Sequence, residues 1–440
     1  MKEFLKSLGV KKIFFGAGNR NAPLLKDLEE FELVFGLDER SLAFEALGLA
    51  KISQVPVVVC TTSGTAVAEC FPAIIEAYYS NIPLIILSAD RPLALRGTRS
   101  PQTIEQDKIF GKFVRTFWEG EPHELDAKLQ VSYPLHLNLF VDQEGVGQKK
   151  QSRPDQQILS DASKHGVAIF TEGSGGYSEE FEKITRLGLS SYNEIHSGLN
   201  KQGSILFEKD LLKAFSKGQV DYLIKFGKTP VTKLWRLLNS KYQNIAVFSY
   251  QSDYTGCFGG ERLDNLDRFS QQTRPHIINS DLSPFLEEFP NSEMSLIYNF
   301  INKTENDAII FLGNSMPIRY ADFCKNLDRK YIASRGANGI DGQVSTAAGI
   351  ARGSENKVYA ILGDLTYIYD FTRQFWGLPS NLEIVVINNF GGRIFERVES
   401  DERIILEHAH KFDELWDLRL HTLKPDRDET NLFWKRWINE

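Results

Sequence analysis

The chain has 440 residues, of which 42% are hydrophobic and 25% charged, with a formal net charge of −7 at pH 7. That length suits roughly three domains, each able to bury a core, and the acidic balance lacks the basic footprint of a nucleic-acid binder. Apolar runs such as Val55–Cys60 and Ile82–Leu87 are too short for a bilayer, and the amino terminus MKEFLKSLGVKK lacks the apolar core of a signal peptide.

In chain order, Lys12–Phe15 reads as a strand ended by Gly16-Ala17-Gly18-Asn19, with a helix starting near Ala22-Pro23, where proline suits a first turn. Glu32–Gly36 is the next strand, and 38–51 a helix with Leu42, Ala46, Leu49 and Ala50 on its apolar face. The small residues Ala43, Ala46 and Gly48 would let that helix pack closely. Pro56–Cys60 leads into the loop Thr61-Thr62-Ser63-Gly64-Thr65 and a helix through Tyr79. Pro83–Ser88 ends at Asp90-Arg91-Pro92, and Pro134–Phe140 is a later strand. Residues 143–154 are polar and rich in Gly and Pro, and read as a linker. The region 155–300 alternates less cleanly, with Tyr222–Phe226 and Asn244–Ser249 as its best strands. Ala308–Leu312, Val358–Leu362 and Leu382–Ile387 then run into Gly313-Asn314-Ser315, Gly363-Asp364 and Asn388-Asn389. Short apolar runs alternating with helical patterns predict parallel α/β sheets flanked by helices. The expected domains are 1–145, 155–300 and 301–440. The four cysteines (Cys60, Cys70, Cys257, Cys324) are scattered, which suits reduced thiols in the cytoplasm. His408 and His410 form an HxH with no third ligand nearby, so no metal is expected there.

In open α/β sheets ligands bind beyond the carboxyl ends of the strands, so three polar loops at three strand ends point to one crevice. A hard cation such as Mg²⁺ takes oxygen ligands and shares them with phosphates. Asp364 and Asn389 supply two, Gly391-Gly392 frees a carbonyl as a third, and Gly363 lets backbone approach a phosphate. Either loop alone reads as an ordinary turn. Together, with 24 residues between Asp364 and Asn389, they resemble the GDG…NN signature of thiamine-diphosphate (ThDP) enzymes.

Further segments resemble one family of those enzymes, the menaquinone-pathway synthases. They are LDERSLAFEALGLAK (37–51), the stretch 61–92 from TTSGT to ADRP, SPQTIEQ (100–106), GNSMPIR (313–319), SRGANGIDGQVSTAAG (334–349) and INNFGGRIF (387–395). The resemblance is strong over about 10–140 and 305–397 and patchy between. It weakens after Arg397, although DRDETNLFW (426–434) is similar to the family's closing segment. It implies a three-domain ThDP-enzyme fold and a requirement for ThDP with Mg²⁺, or Mn²⁺. The implied reaction is decarboxylation of 2-oxoglutarate with conjugate addition of the succinyl carbanion to isochorismate. It also implies a homodimer at least, with the site at the subunit interface. Glu39, by position an ordinary first-turn glutamate, matches the activating glutamate that shares a proton with the aminopyrimidine ring. Asp364, Asn389 and Gly391 match the metal ligands, Gly363 and Ser315 lie beside the cofactor, and Ile340 matches the residue that holds it bent.

Both substrates implied are dianions, so a net-acidic chain must gather cations locally. Arg20, Arg91, Lys233, Arg319 and Arg335 match the substrate-binding positions, with Asn19, Gln102 and Ser315 as neutral hydrogen-bonding partners and Ile394 and Phe395 as walls. The chain departs from the family in four places. Ala17 and Asn19 stand where the first loop usually has Pro and Ser, Leu234 where some members carry Arg, and Phe390 where a third Asn is frequent. The middle region and the end also look short. A ThDP decarboxylase or carboligase with another acceptor, and a catalytically silent binding subunit, are the alternatives.

Overall fold

The computed structural model describes residues 1–142 except 99 and 127, 164–251 except 200 and 201, 260–272, 277–371 except 326, 336 and 337, 377–397, 402–403 and 420–439. The expected linker 143–154, Cys257, His408 and His410 lie outside them. The described residues form three sheets in which every strand pairing is parallel.

The first sheet contains β1 (Lys12–Gly16), β2 (Glu32–Gly36), β3 (Val57–Thr61), β4 (Leu84–Asp90), β5 (Thr116–Gly120) and β6 (Leu135–Phe140), in the order β2-β1-β3-β4-β6-β5. The second contains β7 (Gly166–Phe170), β8 (Ser190–Asn193), β9 (Tyr222–Phe226), β10 (Ala246–Tyr250) and β11 (Glu261–Leu263), ordered β11-β10-β9-β7-β8. The third contains β12 (Ile309–Leu312), β13 (Lys330–Ala333), β14 (Val358–Gly363), β15 (Leu382–Ile387) and β16 (His421–Leu423), ordered β13-β12-β14-β15-β16. Helices cover both faces, so the central strands are buried throughout and read as continuous β-branched and aliphatic runs.

Strand order reverses between β1 and β3, between β7 and β9, and between β12 and β14. Crevices open at such switch points, beyond the carboxyl ends of the strands. In the first and third sheets they are lined by Gly16–Asn21 with Thr61–Thr65, and by Gly313–Ser315 with Gly363-Asp364. The middle sheet fills its own. The Thr171 hydroxyl donates to the carbonyls of Phe226 (3.0 Å) and Lys228 (2.6 Å), and Lys228 pairs with Glu172 at 3.0 Å.

The helix expected over 38–51 is α1 (Glu39–Ser53), capped by Asp38, whose carboxylate accepts the Ser41 N–H at 3.0 Å; such a cap contributes about 1 kcal/mol. It buries Leu42, Ala43, Ala46 and Ala50 against the first sheet. Gly48 packs on nothing: a Cβ there would meet no atom within 4 Å, and Phe44 on the same helix is 44% exposed. The helix expected through Tyr79 is broken at Cys70. A short turn over 65–69 precedes α2 (Phe71–Ser80), because Pro72 has no N–H to continue the earlier ladder. The helix expected from Ala22-Pro23 is a 3₁₀ turn, Ala22–Leu24, followed by Leu25–Leu28. In the third sheet α3 (Glu293–Asn302), α4 (Met316–Ala321), α5 (Gln343–Arg352) and α6 (Asp364–Tyr369) flank the strands, and α7 (Arg427–Asn439) closes one core with Phe433 and Trp437. Cys60, Cys70 and Cys324 are buried free thiols. Among the described residues no helix is long and apolar enough to cross a membrane.

Candidate active site

Glu39 is the first residue of α1, 6% exposed, and stands directly over the end of β1. Position 16 must therefore be glycine, since a Cβ there would lie 2.9 Å from the Glu39 Cγ. The Tyr369 hydroxyl, at the end of α6, donates to Glu39 Oε2 at 2.6 Å and also contacts the Leu37 carbonyl. Burial pushes the Glu39 carboxyl up to about 7, against the lowering effect of the Tyr369 hydrogen bond. A second bridge joins the same two sheets, as the Thr65 hydroxyl donates to Asp341 Oδ1 at 2.7 Å. Within one chain, the loops of the first sheet thus face those of the third.

Asp364 opens α6 and is 4% exposed. Its Oδ2 accepts the N–H groups of Asn389 (3.2 Å) and Gly391 (2.8 Å), and its Oδ1 that of Leu365 (2.7 Å). Burial raises this carboxyl to about 6, and the Gly391 and Leu365 N–H groups oppose it. The turn is shaped by φ of +64° at Phe390, +83° at Gly391 and +64° at Gly392. The Asn389 Nδ2 donates to Glu293 Oε1 at 2.9 Å, while its Oδ1 is buried with no hydrogen-bond partner. A carboxylate beside an unsatisfied amide oxygen is a donor set for a hard cation, so the corner fits Mg²⁺. Above Gly363 an added Cβ would meet nothing nearer than 3.8 Å, which leaves room along the backbone. No group of three or more His, Cys, Asp or Glu side chains among the described residues is placed to hold a metal.

The cations come from loops and helices of all three sheets. Arg20 is 3% exposed and donates to the Val141 carbonyl at 2.8 Å. Its loop is pinned by Asn21, which accepts the Gly18 N–H (2.9 Å) and donates to the Gly16 carbonyl (2.8 Å), with Gly18 pressed on Thr62. Asn19 is half-buried on the same turn. Arg91, 4% exposed, donates to the Pro101 carbonyl at 2.9 Å and lies over the Trp235 ring at 5.3 Å, which joins the first sheet to the second. Gln102 has φ of +54° and its Cα lies against Gly64. Arg335 donates to Asn314 Oδ1 at 2.8 Å, and its buried Nε has no partner. Burial first, and then the Arg319 guanidinium, bring Arg335 down to about 10. Arg319, on α4, contacts the carbonyl of Ser315, a residue held at φ +70°. Its own value is lowered by burial and by Arg236.

Lys233 is exposed at the start of its helix, the most open of the five cations. Ile340 is half-buried next to Asp341. Ile394 and Phe395 pack into the core of the first sheet alongside Phe15, Leu24 and Leu25, so they join the third part of the chain to the first.

Four residues that the sequence did not single out take part. Tyr369 bonds Glu39, and Glu293 bonds Asn389. Asn314 holds Arg335 and donates to the carbonyls of Ser334 (2.9 Å) and Gly339 (2.6 Å). Glu194 is 2% exposed at the end of β8 and accepts the Val231 N–H at 2.6 Å, which anchors the loop leading to Lys233.

Residues 1–109 match the family described as "Thiamine pyrophosphate enzyme, N-terminal TPP binding domain". The 2-succinyl-5-enolpyruvyl-6-hydroxy-3-cyclohexene-1-carboxylate synthase of Bdellovibrio bacteriovorus is 32% identical over 486 aligned positions, covering 96% of this chain and 91% of that protein. The synthase of the same name from Bacillus pumilus is 31% identical, covering 90% and 82%. That of Desulfotalea psychrophila is 31% identical, covering 89% and 84%. The chain, which reads as short in its middle and at its end, therefore spans most of the length of these relatives.

Proposed function

The chain belongs to the 2-succinyl-5-enolpyruvyl-6-hydroxy-3-cyclohexene-1-carboxylate synthase family, and from that premise we propose that it joins the succinyl unit of 2-oxoglutarate to isochorismate with loss of CO₂. It is a ThDP-dependent transferase that forms a carbon–carbon bond in menaquinone biosynthesis. The observation that carries the site assignment is the hydrogen bond between Tyr369, on the helix opened by Asp364, and Glu39. It supports the reading in which a proton-sharing carboxyl and a metal corner share one crevice.

When bound, ThDP supplies the carbanion chemistry that decarboxylates a 2-oxo acid and passes on the remaining acyl unit. Mg²⁺, or Mn²⁺, would be held by Asp364, by Asn389 and by the Gly391 carbonyl, with Gly363 leaving space for the diphosphate. Glu39, poised near neutrality, holds a proton that it can share with a ring nitrogen laid against it; a group titrating near the working pH is best suited to that task. Ser315 lines the cofactor side, and Ile340 props the cofactor. Arg20, Arg91, Arg319, Arg335 and Lys233 take the carboxylates, Asn19 and Gln102 add neutral hydrogen bonds, and Ile394 with Phe395 keep water out. The domains proposed are 1–145, 155–300 and 301–440, acting in the cytoplasm, with the segment from Leu282 through α3 packed into the core of the third sheet. The test is product formation and CO₂ release with ThDP, Mg²⁺, 2-oxoglutarate and isochorismate. Cofactor-loaded protein that gives no product, or CO₂ release indifferent to isochorismate, refutes the assignment.

The working unit proposed is a homodimer at least. Its support is the uncovered face of α1, with Phe44 exposed and Gly48 open, and Tyr79 on α2, 68% exposed. Within one chain Glu39 meets the Asp364 helix; the same faces paired between two copies give the shared site that the resemblance implies. Mixing Glu39→Gln with Asp364→Ala after dissociation separates the two arrangements. A site shared between copies restores about a quarter of wild-type activity, from half the dimers with one intact site each. A site built within each chain restores none, and that result overturns the shared site.

A further inference from the structure

Asn389 is held from every side. Its N–H goes to Asp364 at 3.2 Å, its carbonyl accepts from Arg393 Nε at 3.0 Å, and its side-chain Nδ2 donates to Glu293 at 2.9 Å. Glu293 is the first residue of α3, 3% exposed, and its own N–H donates to the Thr430 hydroxyl of α7 at 3.1 Å. Thus the closing helix of the chain fixes the start of α3, and α3 fixes the amide. The second oxygen of Glu293 is buried without a partner, and the residue lines a small cavity with Asn389, Arg393, Glu396, Asp426 and Thr430.

A side-chain amide has two nearly isosteric orientations, one presenting oxygen and the other an NH₂ group. For a cation they are opposite, one attractive and the other repulsive. A carboxylate only accepts hydrogen bonds, so the amide can turn only its NH₂ toward Glu293; the flipped form would set two acceptors against each other. The oxygen is then turned away from Glu293, and Oδ1 is buried and unsatisfied, on a residue whose backbone N–H is bonded to Asp364. We propose that Glu293 is a positioning residue that locks the Asn389 amide with its oxygen toward the metal. The inference rests on the reading that Asp364 and Asn389 hold the metal. Partners of this kind orient metal ligands, and their removal typically weakens metal binding by about 10–100-fold.

The test is Mn²⁺ titration of the full chain in the presence of ThDP, followed by electron paramagnetic resonance. Glu293→Met removes the acceptor and is expected to weaken Mn²⁺ binding by about 10–100-fold. Glu293→Gln keeps an acceptor but adds an NH₂ that can also pair with the flipped amide, so its loss is expected to be smaller than that of Glu293→Met. In an Asn389→Asp background no amide remains to flip, so adding Glu293→Met should cause no further loss; a merely structural role for Glu293 would weaken binding in both backgrounds. Glu293→Ser makes the same comparison if the methionine variant does not fold. Wild-type affinity in Glu293→Met overturns the inference, and so does a loss in Glu293→Gln as large as in Glu293→Met. Asp364→Ala and Asn389→Ala must both lose Mn²⁺. If they bind it normally the metal reading itself fails, whereas loss in these two with none in Glu293→Met sinks this inference alone.

Discussion

Glu39→Gln is expected to slow exchange of the C2 proton of bound ThDP by about 10²–10⁴-fold, the range that positioned proton transfer contributes, while making the cofactor-free chain more stable above neutral pH. Both effects have one cause. The carboxyl is buried, so its ionised form is disfavoured and its value rises to about 7 from an ordinary 4.5. In the folded state it keeps a proton that the unfolded chain has already lost between those two values, so stability falls as pH rises from 4.5 to 7. Above pH 7 the carboxylate is ionised in both states, and the cost of holding it buried is about 3 kcal/mol. Glutamine has no such charge, yet its carbonyl still accepts from Tyr369. The stability difference between variant and wild type should therefore be near zero at pH 4 and about 3 kcal/mol in favour of the variant at pH 8, by urea unfolding at each pH. A difference that does not change with pH would show that Glu39 is not held protonated. An unchanged exchange rate would remove it from cofactor activation. A gain in stability with a loss of chemistry is the mark of a strained functional group.

Most central strands, though not β7, were legible because parallel strands covered on both faces must be continuously apolar. β3 and β4 are buried at every position, and their sequences say so. Most edge strands were not, β2 excepted. β5, β13 and β16 are three to five residues long, partly exposed and carry charged or polar side chains. β8 reads Ser-Ser-Tyr-Asn and is buried all the same. Its polarity is absorbed by Ser191 and Ser204, whose backbone N–H groups each donate to the other's hydroxyl, a pairing across 13 residues that no local pattern reveals. The site divides in the same way. Asp364 and Asn389 announce themselves because each ends an apolar strand, and two such ends at one switch point make a crevice. Tyr369 and Glu293 do not. One reads as an aromatic on a helix face and the other as an ordinary first-turn glutamate, and their partners lie 330 and 96 residues away. The residues that hold the expected ligands in place are visible only once the third sheet has been assembled against the first.

Arg335→Met should raise the KM for at least one of the two dianionic substrates about 100-fold, the equivalent of one charge-assisted hydrogen bond of about 3 kcal/mol, with a much smaller change in kcat. Arg335 is 7% exposed, has an unpartnered Nε and shares its surroundings with Arg319, whose charge together with burial brings it down to about 10. Two guanidinium groups with so little water are poorly satisfied in the free chain, and a carboxylate placed between them removes both the desolvation and the mutual repulsion. That stabilisation is the same before and during the chemical step if the carboxylate lies away from the reacting carbon. It therefore belongs in KM rather than in kcat. Asn314 keeps the fork aimed by accepting from one nitrogen of Arg335 while tying down the carbonyls of Ser334 and Gly339. Arg335→Lys keeps the charge but loses the planar fork, so it should recover only about 10-fold of the affinity. Steady-state titration of each substrate with the other saturating measures this directly. KM values within threefold of wild type for both substrates in Arg335→Met would place this guanidinium beyond their reach, whatever its burial. A fall confined to kcat would move it from binding to the chemical step itself.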